Sequence, residues 1–356
     1  MYTRRCLLVA LLFAALAARP ATAAQNQISV KTIPATPLVE VGRDQQLLNF
    51  DMVIENSGAK ALQLRGIVAE ASDPAGLPIA RTLLSENGFP SSMETLPNRE
   101  VPAHGSLGIF NPLFAWPRGA NIARIHYTLW VEPLVYRDRT QLIFPLKGRV
   151  FVLDGHDFYS HHRRQDLTAP EVVGAGIHAN PVRYCDDFVF VDAHGAMFAG
   201  DPREKKNWFG YGQPVYAPAG GTVVSIVNDV GEPTWDGRQL HKPRPPADDS
   251  PFGNYVLIDH GDGELSVLSH LLPHSIRVRR GDHVTQGQLV GRLGASESGN
   301  PEYPVVAHLA YALISGADYF NSEGLPAYFE HYTLLLGSEQ VPVTNGPLDT
   351  GDFFKT

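Results

Sequence analysis

Cysteine is scarce in this sequence, since Cys6 and Cys185 are the two examples among 356 residues. Cys6 lies in a segment with the pattern of a cleaved leader, so Cys185 would remain alone in the mature protein. A lone cysteine forms no internal disulfide, which excludes the disulfide-rich class of small domains. We therefore expect the stability of the fold to come from its hydrophobic core.

Basic charge is also in short supply. The chain has 29 Lys and Arg residues against 37 Asp and Glu residues, for a formal net charge of −8 at pH 7. Removal of the leader would take three arginines and no acidic residue, which makes the balance more acidic. Because phosphate-rich surfaces repel an acidic protein, we predict neither a nucleic-acid partner nor adsorption to anionic lipid.

Long apolar runs are missing except near the N-terminus. Arg4 and Arg5 precede an apolar run from Cys6 to Ala18, and small residues follow at 21–24. This is the pattern of a secretory signal peptide over residues 1–24. The run has about 13 residues, fewer than the ~20 that a membrane-spanning helix needs. We expect export, to the periplasm rather than the medium, because no lipoprotein anchor or wall-sorting tail is seen and no later segment would span a membrane.

Alternating apolar and polar residues dominate residues 25–153. Leu48, Phe50 and Met52 are separated by polar residues, and residues 123–131 repeat the pattern between Pro, Gly and Asn turns. This two-residue period predicts half-buried strands, and their spacing predicts an all-β, immunoglobulin-like sandwich. The segment shows no cluster of titratable residues, so we interpret it as a binding or spacer module.

A polar connector follows over residues 154–182. It contains His156, His161 and His162 beside Arg163 and Arg164. A histidine-rich stretch can bind metal. We favour solvated, hydrogen-bonding histidines, because no cysteine or second ligand pair stands at metal-site spacing.

Short strands bounded by glycines fill the C-terminal part. They occur in the segments Gly212–Val224, Gly253–Gly263, Ser266–Leu271 and Gly281–Gly294. Their order closely resembles the lysostaphin-type, or LytM-like, zinc endopeptidases over about residues 183–315. The resemblance implies a two-layer antiparallel β core with an open groove, one zinc ion, and cleavage of peptide cross-links in peptidoglycan. We expect the aromatic extension over residues 316–356 to pack on this core.

The resemblance also places the functional residues, and two metal positions are changed. The family's His-x-x-x-Asp motif falls on Arg183 and Asp187, and its His-x-His motif falls on His308 and Ala310. The remaining catalytic histidine falls on His270. Neither a guanidinium nor a methyl group coordinates zinc. One of three metal ligands, Asp187, and both catalytic-type histidines are therefore retained.

Loss of these ligands favours a non-catalytic protein that binds peptidoglycan or regulates a cell-wall hydrolase, with no cofactor. The alternative is an active zinc metalloendopeptidase with an atypical set of ligands, namely Asp187, His270 and His308, with or without His178. A third hypothesis is structural, with the C-terminal fold supporting the sandwich. We also expect Arg183 to pair with Asp187 and so replace the charge of the ion.

A proline-rich insertion lies between Asn228 and Phe252. Its composition opposes regular secondary structure. It is either a flap over the groove, with Trp235 as a stacking surface for sugar or peptide, or a disordered loop.

Overall fold

The computed structural model describes residues 28–85, 91–96, 98–110, 115–126, 130–131, 134–174, 176–241, 252–296, 305–318 and 321–356. The predicted signal peptide lies outside these ranges, as do residues 242–251 of the insertion. Helix is confined here to α1 (Pro170–Gly174) and the 3₁₀ turns Ser92–Thr95 and Lys205–Asn207. None of the described helices is long and apolar enough to cross a membrane. The all-β prediction is confirmed.

The N-terminal part folds into two larger sheets, which share one core, and a separate two-stranded sheet. Its strands are β1 (Ile28–Val41), β2 (Gln45–Asn56), β3 (Leu62–Gln63), β4 (Gly66–Ser72), β5 (Pro78–Ser85), β6 (Glu100–Val101), β7 (Gly105–Phe110), β8 (Ala115–Pro117), β9 (Arg124–His126), β10 (Trp130–Val131) and β11 (Leu134–Val135). One sheet runs β11-β1-β2-β7 with β8 also on β2, and the other runs β10-β9-β4-β5. Phe50 and Met52 from the first meet Ala69 and Ile125 from the second. The immunoglobulin-like type stays a prediction.

The C-terminal part is organised around one sheet of twelve strands. The strands from here on are β12 (Leu142–Ile143), β13 (Arg149–Asp154), β14 (Asp186–Phe190), β15 (Pro214–Tyr216), β16 (Gly221–Val227), β17 (Thr234–Trp235), β18 (Leu240–His241), β19 (Tyr255–Asp259), β20 (Leu265–Leu268), β21 (His283–Val284), β22 (Leu289–Arg292), β23 (Leu309–Ile314), β24 (Gly324–Leu325), β25 (Phe329–Leu336), β26 (Glu339–Gly346) and β27 (Phe353–Lys355). The large sheet runs β12-β25-β27-β13-β14-β23-β20-β19-β16-β21, with β24 on β23 and β26 on β25. β15 pairs with β22, and β17 pairs with β18.

Residues 142–154 belong to this large sheet. The sequence analysis placed them at the end of the sandwich, but β12 pairs with β25 and β13 pairs with β14 and β27. The boundary between the N-terminal sheets and the large C-terminal sheet therefore lies before Leu142. An apolar alternation fits either sheet, and it does not say which strands lie alongside it.

The aromatic extension adds strands to the sheet as well as packing on it. Phe329 and Phe354 lie edge-on to Phe144, with ring centroids 5.2 and 4.7 Å away. Phe188 of β14 meets the same ring at 4.6 Å. These rings fill the main core on one face of the sheet, and the polar residues of interest lie on the other face.

Candidate metal centre

Asp187 lies on the central strand β14, on the face opposite the aromatic core. Its register partners are Asp154 on β13 and Ala310 on β23. Residues directly opposite one another in a sheet project from the same face. Ala310 therefore stands beside Asp187, as the motif assignment requires, and its methyl group joins a buried apolar cluster.

Two of the sequence-predicted histidines lie close to Asp187. His308 directly precedes β23, and its Nε2 atom is 3.7 Å from Asp187 Oδ1. Its Nδ1 atom lies 3.1 Å from the Val306 carbonyl, so Nδ1 is the donor in this hydrogen bond and Nε2 is the nitrogen on the side of Asp187. The ring of His270 is 4.6 Å from that of His308, between centroids. The structure thus brings together Asp187, His270 and His308.

The connector supplies a further histidine that the sequence analysis read as solvated. His162 Nε2 lies 3.0 Å from Asp187 Oδ1, and the His162 side chain is 13% exposed. His161 stacks on it with ring centroids 3.8 Å apart, and its Nδ1 hydrogen-bonds to Asp154. Ligand atoms of His161, His162 and Asp187 all lie within 4.8 Å of one another. The reading of His162 as solvated is wrong.

His178, the residue expected to join the set, lies elsewhere. It lines a cleft with Thr32 of β1 and with Thr168 and Val173 of the connector. The connector histidine that contacts Asp187 is His162, and the signal for it in the sequence was the adjacent His161-His162 pair. Its distance along the chain from Asp187 gave no indication that the two segments meet.

Charges around Asp187 shift several pKa values. Burial would raise the pKa of Asp187, but His162 and His308 lower it, and the result lies well below the ordinary range. Burial lowers the pKa of His162 while Cys185 and Asp187 raise it, and the balance is well above 6.5. For His270, burial and the neighbouring His308 lower the pKa well below 6.5. A neutral His270 keeps a lone pair for proton transfer or coordination.

Arg163, the residue after His162, anchors the connector in the N-terminal domain. Its Nη1 atom donates to Asp51 Oδ1 at 2.7 Å, and its Nη2 atom donates to the Phe50 carbonyl at 2.8 Å. Asn180 Nδ2 donates to the carbonyl of His162 at 3.1 Å. The hydrogen bonds of Arg163 and Asn180 therefore hold His162 over Asp187.

Arg183 takes part in the same buried network. Its Nη1 atom donates to Asp51 Oδ2 at 2.8 Å and its Nε atom donates to Glu323 at 3.3 Å. The expected pairing of Arg183 with Asp187 is therefore wrong. A carboxylate from the N-terminal domain accepts a hydrogen bond from the Arg183 guanidinium, and the side chain that contacts Asp187 is instead the imidazole of His162.

Trp235 lies on a short hairpin made by β17 and β18. The expectation of no regular structure in the insertion is wrong at this hairpin. The guanidinium carbon of Arg203 stands 5.1 Å from the centroid of the Trp235 ring. The structure therefore sets Trp235 beside Arg203.

The residues at this site fit a zinc-type ion, although not at the positions the resemblance implies. A tetrahedral ion with bonds of about 2.0–2.2 Å holds its ligand atoms about 3.4 Å apart. The distances of 3.0 Å from His162 and 3.7 Å from His308 to one Asp187 oxygen lie on either side of that value. His162, Asp187 and His308 would hold the ion, and Arg183 would not.

Comparisons with known proteins give a match over part of the chain. Residues 209–322 match the family model described as "Peptidase family M23". This stretch contains His270, His308 and Ala310, and it begins after Asp187. No curated protein matches the chain.

Solved structures align at low identity. The SpoIIQ–SpoIIIAH pore-forming complex is 17% identical, with 52% of this chain and 89% of that chain covered and a TM-score of 0.27. The catalytic domain of the prophage-encoded M23 protein EnpA from Enterococcus faecalis is 18% identical, covering 38% and 92%, with a TM-score of 0.20. Lysostaphin from Staphylococcus simulans is 14% identical, covering 62% and 84%, with a TM-score of 0.27.

Proposed function

Because residues 209–322 form a domain of peptidase family M23, we propose that this chain is an exported, non-hydrolytic M23 protein. It binds peptidoglycan or regulates a cell-wall hydrolase in the periplasm. The observation that carries the proposal is the connector over the site. His162 sits against Asp187, whose side chain is 6% exposed, so the connector covers that carboxylate.

The replaced positions point the same way. Arg183 is fully buried in ion pairs with Asp51 and Glu323, and Ala310 is part of an apolar cluster. In the absence of an ion, His270 and His308 are left as bases alone. General acid–base catalysis contributes about 10² to 10⁴ in rate, which is well short of the ~10⁶ or more that enzymes supply.

Trp235 is the residue to which we assign contact with the sugar or peptide of the wall. An aromatic ring offers a flat apolar face for such ligands at little cost in side-chain entropy. Arg203 already stacks on this ring, which holds it in one orientation. Tyr216 is a matched control, because Lys147 lies over its ring at 4.4 Å in a comparable cation–aromatic pair.

Co-sedimentation with purified sacculi tests the proposal. We expect the chain from residue 25 onward to sediment with sacculi and to release no soluble muropeptides. The Trp235→Ala variant should lose most of this binding, and Tyr216→Ala should keep it. If the unaltered protein stays in the supernatant and also fails to change sacculus digestion by envelope hydrolases, the proposal is wrong.

A second function is an active zinc metalloendopeptidase with an atypical ligand set. The cluster of His161, His162 and Asp187 favours it. Bound zinc would lower the pKa of a coordinated water and polarise the scissile carbonyl, and His270 would accept and donate protons beside it. Muropeptides released by the zinc-loaded protein, and not by its Asp187→Ala variant, would establish this function in place of the first.

A further inference from the structure

We propose that the connector completes a zinc site, in which His161 and His162 bind one ion together with Asp187 and His308. The two connector histidines replace the ligands that Arg183 and Ala310 no longer provide. This inference deepens the proposed non-hydrolytic function and rests on it, because a shell closed by four protein ligands leaves no position for water.

The positions of the ligand atoms support a single ion. One oxygen of Asp187 is approached by Nε2 of His162 at 3.0 Å and by Nε2 of His308 at 3.7 Å. His161 also has a ring nitrogen within 4.8 Å of both the His162 and the Asp187 ligand atoms. Three imidazoles and one carboxylate are a ligand set typical of zinc. Magnesium and calcium instead bind oxygen ligands.

The groups behind these ligands are arranged as in a metal site. His161 bonds through Nδ1 to the Asp154 carboxylate, and His308 bonds through Nδ1 to the Val306 carbonyl. Metal-bound histidines almost always make such a bond with the nitrogen that does not bind the ion. In both residues Nε2 is thereby left as the coordinating atom.

The connector is also fixed before any ion binds. Arg163 enters the N-terminal domain at Asp51, Asn49 and the Phe50 carbonyl, and Asn180 holds the backbone of His162. A ligand held in place by its neighbours loses less entropy on binding. The N-terminal domain, which the sequence suggested as a spacer, therefore positions a ligand of the site.

Metal analysis of the full chain from residue 25 tests the inference. The protein is made without a histidine tag, stripped with a chelator, loaded with zinc, dialysed and measured by elemental analysis. We expect about one zinc per chain. The His162→Ala and Asp187→Ala variants should bind at least about 100-fold more weakly, and Asp154→Asn about 10- to 100-fold more weakly. His178→Ala, which removes another connector histidine, should bind as the unaltered protein does.

Cobalt(II) substitution gives a readout that does not depend on activity. A closed four-coordinate site gives intense visible absorption, whereas a site with extra water ligands gives weak bands. If His162→Ala does not fold, as judged by circular dichroism, the His162→Gln variant and the cobalt spectrum of the unaltered protein carry the test.

Each result separates this inference from the proposed function. Zinc near one per chain with an intense cobalt spectrum supports the closed site. Zinc retained by folded His162→Ala or His162→Gln, or a pale cobalt spectrum, overturns it. Zinc near zero in the unaltered protein also overturns it, and sacculus binding measured on the same sample then shows whether the proposed function survives.

Discussion

Asp51 is the residue whose loss we expect to affect the protein most. Its two carboxylate oxygens accept hydrogen bonds from Arg163 and Arg183, at 2.7 and 2.8 Å. All three side chains are buried, with exposures of 7%, 1% and 1% respectively. Asp51→Ala leaves two guanidinium groups in the interior, with Glu323 as the acidic partner that remains for Arg183.

The size of the effect follows from the burial. Removing one partner of a buried ion pair costs about 3–5 kcal/mol, because the other charge stays desolvated without compensation. For a large domain, each 1 kcal/mol lowers the melting temperature by about 2 °C. We therefore expect a decrease of about 6–10 °C. Since Asp51 joins the N-terminal domain to the connector and, through Arg183, to the segment just before β14, we also expect one unfolding transition to become two.

Differential scanning calorimetry measures both changes. The control is Glu55→Ala on β2, the strand that also carries Asp51. It removes an ion pair with Lys31 of β1, and the Glu55 and Lys31 side chains are 45% and 57% exposed. Exposed pairs contribute about 0–1 kcal/mol. In the double variant Asp51→Ala/Arg183→Met, one charge of each sign is lost, and about 0.5–3 kcal/mol should be recovered as coupling energy.

The reasoning would be refuted by a simple result. If Asp51→Ala melts within about 2 °C of the Glu55→Ala control and in a single transition, the buried network does not hold the two parts together. The positioning of His162 through Arg163 would then need another explanation.

Three further predictions concern single residues. Burial raises the pKa of Cys185 to about 11, so iodoacetamide at pH 7.5 should label it in urea and not in the native protein, as read by mass spectrometry. Ala310→His should cost about 1–3 kcal/mol in urea unfolding, because the methyl group is buried in a packed cluster; unchanged stability would show a cavity there. Burial lowers the pKa of His156, but Glu40 and Asp186 raise it well above 6.5. Its stabilisation is therefore present below pH 6.5 and is lost as the pH rises through the raised pKa, and His156→Gln should show a flatter pH dependence between pH 6 and 9.

The sequence was informative wherever local pattern decides the structure. Alternation predicted β2 because burial on one sheet face imposes a period of two. The motif order also placed Ala310 beside Asp187, and the register confirms it. Both features depend on single strands or on neighbouring strands, and the order of the sequence motifs already indicates which strands these are.

The sequence was uninformative wherever distant segments meet. Arg183 pairs with Asp51, 132 positions away along the chain, and His162 reaches Asp187 from a connector without strands. Such contacts depend on how domains pack, which neither propensity nor spacing encodes. For the same reason the motif comparison identified the lost ligands and gave no sign of the connector histidines.

The strand order of the large sheet determines when the sheet can be completed during folding. β27 lies between β25 and β13, and the Thr356 hydroxyl bonds to the carbonyl of Leu146 across 210 positions. Until β27 is in place, β13 has one unpaired edge, and such an edge can pair with the wrong strand. A chain cut before Phe353 therefore lacks the strand that joins β13 to β25, and we expect it to aggregate more readily than the full chain.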